Sequence, residues 1–155
     1  MRNYFLKLSF VLLTGFSIFA NAGMIGKEAI PEKIMAQLHK QHPNALDIKA
    51  EPKTHFGQAL YVLYFKDGEA EHIEFYRVDG HFYVSGEKID AINLIPEAIN
   101  DNLKAAFNTY EIKRAILVAN PNGVGEEYDL SVSASGKNWS ITVDGKGAII
   151  DKVEE

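Results

Sequence analysis

The sequence contains no cysteine. That absence excludes disulfides, a thiolate nucleophile, a cysteine metal site and lipid attachment through an N-terminal cysteine. An excess of positive charge is also missing: 16 Lys and Arg stand against 21 Asp and Glu, for a net charge of −5. Such a chain repels a phosphate backbone and an anionic membrane surface, so nucleic acid is set aside as a partner. The main apolar run, residues 8–19, is interrupted by Ser9, Thr14, Gly15 and Ser17. It falls short of the roughly 20 apolar residues that a membrane span needs. Recognisable catalytic signatures are lacking too: no Gly-x-Ser-x-Gly, no His-Glu-x-x-His and no phosphate-binding glycine-lysine loop. Gly123-Val124-Gly125 lacks the third glycine and the following helix of a nucleotide loop, and reads as a loop before a strand. The chain is expected to be no enzyme and to use no cofactor.

What is present begins with a leader. Arg2 and Lys7 precede the apolar run without an intervening acid, and Ala20-Asn21-Ala22 closes it with the small-x-small pattern of signal-peptidase sites. Cleavage after Ala22 leaves residues 23–155 with a net charge near −7, because the leader removes Arg2 and Lys7 and no acid. The expected product is periplasmic or secreted, with no stable membrane anchor. Without disulfides it must be held by packing alone, which a 46 % hydrophobic composition allows.

An internal repeat organises the remainder. Ile30-Pro31-Glu32 returns as Ile95-Pro96-Glu97, 65 residues later. Ile34 and Leu38 then match Ile99 and Leu103, and His42 matches Phe107, so each half opens with a helix carrying one apolar stripe. Proline suits the first helical position, and the neighbouring glutamate suits the positive end of the dipole. His42-Pro43 ends the first helix. Strands are predicted over residues 60–66, 71–78 and 81–85, and over 127–133 and 139–143, with room for others near 47–53 and 111–119. Asp67-Gly68, Asp79-Gly80, Ser135-Gly136 and Asp144-Gly145 supply hairpin turns, and Asp79-Gly80 aligns with Asp144-Gly145 at the same spacing. The expected fold is α+β: two tandem helix-plus-antiparallel-sheet repeats with the helices packed on one sheet face. Residues 1–22 form the signal peptide, 23–29 an N-terminal segment, 30–90 the first repeat and 91–155 the second.

The helix from Pro31 to Leu38, the His42-Pro43-Asn44-Ala45 exit, the strand at residues 61–66 and the Val78-Asp79-Gly80 turn resemble the PepSY-like family of small bacterial periplasmic proteins, the β-lactamase-inhibitor-like group. The match covers nearly all of the chain after the leader. It departs from the pattern at Asn108-Thr109-Tyr110, where the first half has Pro43-Asn44-Ala45. The resemblance implies helices covering one sheet face, the other left open for a protein partner, and no catalytic residues.

Alternation locates a candidate surface. In the second half Tyr128, Leu130, Val132, Trp139, Ile141 and Val143 segregate to one face, with serines and threonines on the other. In the first half both faces are apolar. If Tyr61, Leu63 and Phe65 meet the helix, then Val62, Tyr64, Ile73 and Phe75 point away, with Arg77 and Tyr83 beside them. A one-sided antiparallel sheet should have a polar outer face, and an aromatic patch rimmed by charge marks a contact site. These six residues are the expected protein-binding surface; a loop or residues 23–29 could instead cover them. The protein is accordingly expected to bind another envelope protein, as an inhibitor or adaptor. The alternative is a small-ligand or metal-responsive binding protein. His39-x-x-His42 has ligand spacing, but His55, His72 and His81 lie on separate elements, so no metal site is expected. Glu126-Glu127 and the tail at residues 151–155 read as solvated carboxylates, and Asn138-Trp139-Ser140 as a coincidental glycosylation match.

Overall fold

The computed structural model describes residues 23–91, 95–119 and 125–155; the expected leader at 1–22 and Gly123-Val124 lie outside the described residues. Among the described residues two α-helices form, α1 at Glu32–Gln41 and α2 at Glu97–Ala106. Pro31 and Pro96 stand one position before the first helical residue, with extended ψ. Their carbonyls accept the N–H groups of Ile34 and Ile99, each at 3.0 Å. The only apolar residues each helix fully buries are the expected stripe, Ile34 and Leu38 in α1 and Ile99 and Leu103 in α2.

Among the described residues nine strands form one antiparallel sheet in chain order: β1 Ile25–Gly26, β2 Leu46–His55, β3 Gln58–Asp67, β4 Ala70–Arg77, β5 Phe82–Ile89, β6 Tyr110–Ala119, β7 Glu126–Ala134, β8 Lys137–Asp144 and β9 Ile149–Glu154. Each half therefore runs helix, then four strands. Tight turns at Phe56-Gly57 and Ser135-Gly136 have φ > 0 at both positions, the conformation that matches strand twist. Two elements differ from the sequence reading. Residues 23–29 contain β1, which pairs with Lys49 and Ala50. The C-terminal carboxylate run is β9, where Lys152 lies 5.2 Å from the Trp139 ring and 5.4 Å from that of Phe107.

The repeat spacing also drifts. The counterpart of Gly80 is Gly147, not Gly145. Gly80 N–H donates to Arg77 and Gly147 N–H to Asp144, both at 2.9 Å, and both glycines have φ near +95°. The connection after β6 is longer than the two-residue turn after β2, which displaces the later strands of the second half. Each glycine lies against its helix: an added Cβ would stand 2.8 Å from the Lys33 carbonyl oxygen or 2.7 Å from the Ala98 Cβ. Gly80→Ala and Gly147→Ala are each expected to cost about 1–3 kcal/mol, from the left-handed backbone and the clash together. Thermal denaturation of the two variants measures this.

Residues paired directly across neighbouring strands share a sheet face. On one face α1 packs against Ala50, Leu63, Phe65 and Tyr76, and α2 packs against Ala115, Leu130, Ile141 and Val143. These are the faces that alternation assigned to the helices. The opposite face is not open. Leu60, Val62, Ile73, Phe75 and Val84 form a third core with Ile116 and Val118 of β6. Val62 is 1 %, Phe75 3 % and Ile73 8 % exposed. Among the described residues the cover comes from β6, not from a loop or residues 23–29. The sheet rolls so that the inner face of its first half meets the inner face of its second, and β2 lies across β8. Gly86 permits this approach: a Cβ there would stand 2.5 Å from an Ile116 methyl and 3.3 Å from the Phe75 ring.

Candidate functional site

The seam between the rolled halves is polar along one side. β2 sends Glu51, Lys53 and His55 inward, alternating with Ala50, Pro52 and Thr54 on the helix side. Lys53 forms an ion pair with Asp129 of β7, and each side chain is 5 % exposed. Glu51 accepts hydrogen bonds from the Arg114 guanidinium of β6 and, at 3.2 Å, from the Tyr64 hydroxyl. Arg114 lies 5.2 Å over the Tyr64 ring. His55 Nδ1 is 3.2 Å from the Thr142 hydroxyl, and its Nε2 is 3.8 Å from Glu127. Burial holds His55 below its ordinary value. Burial, with the charges of Asp129 and Asp144, pushes Glu127 up. The N–H of Phe56 closes this end of the roll by donating to Asp151 of β9 at 2.8 Å.

At the other end the roll stays open. A groove of about 1020 Å³ runs between β2, β3, β4, β5 and the start of β6. Tyr64, Phe65, Ile73 and Gly86 line it, and Lys27, Lys49, Lys66, Lys88 and Arg114 bring five cations to it. Asp47, Glu71 and Glu87 are the acids there. Lys66 pairs with Asp47 at 3.3 Å and Arg114 is held by Glu51. No ion pair engages Lys27, Lys49 or Lys88 among the described residues.

Structures similar to this one come from Bacteroides. One is a protein of Bacteroides eggerthii described as periplasmic: 16 % identity over 80 % of this chain and 88 % of that one, TM-score 0.49. A DUF2874 family protein of Bacteroides uniformis has 16 % identity over 80 % and 88 %, TM-score 0.48. A BLIP-like protein of Bacteroides fragilis has 20 % identity over 79 % and 84 %, TM-score 0.45. No family model matches the sequence, and no curated protein matches it.

The six residues expected to form one surface are thus divided. Tyr64 and Ile73 line the groove. Val62 and Phe75 are interior. Arg77 and Tyr83 lie at the His55 end, where Arg77 stacks 5.4 Å over the Tyr83 ring. Lys49, Lys88 and Arg114, cations of the groove, and Glu51, which holds Arg114, were not singled out by sequence. The polar row Lys49-x-Glu51-x-Lys53-x-His55 was the available signal, since it gives β2 one wholly polar face.

No group of three or more His, Asp or Glu suited to an ion occurs among the described residues. His42 has another role. At the exit of α1 its Nδ1 meets Asp67 at 2.9 Å and its Nε2 meets Glu74 at 3.0 Å. Tyr76 donates its hydroxyl to Glu74 at 2.5 Å, and the rings of Phe65 and His72 flank His42 at 4.8 and 5.1 Å. Burial opposes protonation of His42, but hydrogen bonds to the two carboxylates and their charge outweigh it and raise its pKa. Its stabilising contribution is therefore present below about pH 6.5, the unfolded value, and is lost as pH rises through the folded value. His55 acts with the opposite sign: its contribution is present above that pH and is lost as pH falls. His42→Phe, which installs the residue found at 107, should remove the first dependence alone. The stability difference between wild type and variant, measured by urea unfolding from pH 5 to 9, should favour the wild type more at the acid end.

Proposed function

We propose that the protein is a non-enzymatic binding module of the bacterial cell envelope, exported by its leader and acting on another envelope protein through the groove at the open end of the rolled sheet. Its halves, residues 30–90 and 91–155, serve as tandem copies of one α+β unit in the PepSY-like manner. The carrying observation is the groove itself. The roll buries the apolar row of Val62, Ile73 and Phe75, so the contact surface moves to the groove, where half-buried Tyr64 stands beside a concentration of cations. Large aromatic residues and arginine at a concave site are the groups that most often dominate contact energy.

The cysteine-free chain makes the test direct. Lys88→Cys places a single thiol on the groove wall and Ile150→Cys one on exposed β9, each carrying the same photo-crosslinker. The reading expects a discrete envelope protein to be captured from the Lys88 position and not from the Ile150 position. Equal capture at both positions, or none at either, contradicts it.

A further inference from the structure

We propose that the groove recognises an acidic, extended polypeptide segment in which carboxylates alternate with apolar side chains. This rests on the reading of the protein as a groove-binding module and specifies the chemistry of its partner. The chain carries a net charge of −5, yet the groove gathers five cations against three acids. A local reversal of sign on an acidic protein steers carboxylates to this end of the roll and away from the rest of it. Lys49 and Lys88 lie on strands to either side of β3 and β4, exposed and without a carboxylate partner among the described residues, while Arg114 is fixed by Glu51 and the Tyr64 ring. The lining beneath includes Tyr64 and Ile73, paired on the inner face of β3 and β4, with Gly86 of β5 beside them. Spaced carboxylates can meet the lysines while apolar side chains between them fill the floor. A dense polyanion fits worse, because Asp47, Glu71 and Glu87 interrupt the cations and repel it.

Fluorescence anisotropy with three labelled decapeptides tests the proposal: alternating glutamate and tyrosine, alternating lysine and tyrosine, and alternating serine and tyrosine. Inorganic polyphosphate serves as the competing polyanion. The glutamate peptide should bind at least roughly tenfold tighter than the other two, weaken as salt rises, and lose roughly tenfold with Lys49→Glu plus Lys88→Glu. Those lysines are exposed, so the melting temperature of the double variant should stay near that of the wild type. Equal binding of the serine and glutamate peptides overturns the acidic specificity and leaves the groove as an apolar site. Displacement of the glutamate peptide by polyphosphate at lower charge concentration overturns the polypeptide class. If no peptide binds while the Lys88 crosslinker still captures an envelope protein, the inference fails and the functional reading stands; if both fail, both fall.

Discussion

Phe75→Ala is expected to destabilise the protein by about 3–5 kcal/mol, the cost of emptying a buried aromatic site. Phe75 is 3 % exposed and does not touch α1. Its ring packs with Val62, Val84 and the β6 residues Ile116 and Val118, and it reaches within 3.3 Å of the Cβ position of Gly86. Truncation therefore leaves a cavity at the seam between the two halves, not beneath a helix. On an open sheet face the same change would cost well under about 1 kcal/mol. Urea unfolding distinguishes the two, and a loss below about 1 kcal/mol would mean that the inner face is wet.

Lys53→Met is expected to cost a similar ~3–5 kcal/mol for a different reason: it strands the Asp129 carboxylate in the seam without its counter-ion. Both side chains of this pair are 5 % exposed. Replacing both partners should behave differently. Lys53→Met with Asp129→Leu removes the desolvation penalty along with the attraction, so the double variant should recover most of the lost stability. Non-additivity in that cycle, read by denaturant unfolding, is the signature of a buried pair linking β2 to β7. If both single changes cost less than about 1 kcal/mol and simply add, the pair is solvated and the halves are not sealed along β2.

The sequence was most informative where structure is local. The Pro31 and Pro96 helix starts, the stripes of Ile34 with Leu38 and Ile99 with Leu103, and the assignment of Leu63 and Leu130 to the helix-covered face all come from periodicity. Periodicity says which face a side chain is on but not what lies opposite it. The cover over Val62 and Phe75 comes from strands on the far half of the chain, and Lys53 meets Asp129 across 76 residues. No spacing in a single sequence encodes that pairing. Clues existed: a strand-interior glycine at Gly86, and a strand, β2, with one face made wholly of polar residues. Each signals a close approach or a buried network more readily than an open surface. The strand in the tail went unseen because Asp151, Glu154 and Glu155 suggest solvent; Glu154 and Glu155 are exposed, yet β9 needs only an edge position to be a strand. The Gly80 and Gly147 correspondence was displaced because the longer connection before β7 broke the 65-residue register.

Among the described residues the inner face of the sheet is closed by its own second half and opens at the groove. Solvent paramagnetic relaxation of methyl protons, using a small neutral gadolinium chelate in the NMR sample, tests it most directly. The methyl groups of Val62, Ile116 and Val118 should be shielded as strongly as that of Leu103 beneath α2, while those of Val78 and Ile150, which are 51 % and 39 % exposed, broaden. Broadening of Val62 and Val118 to the level of Val78 would contradict the closed roll.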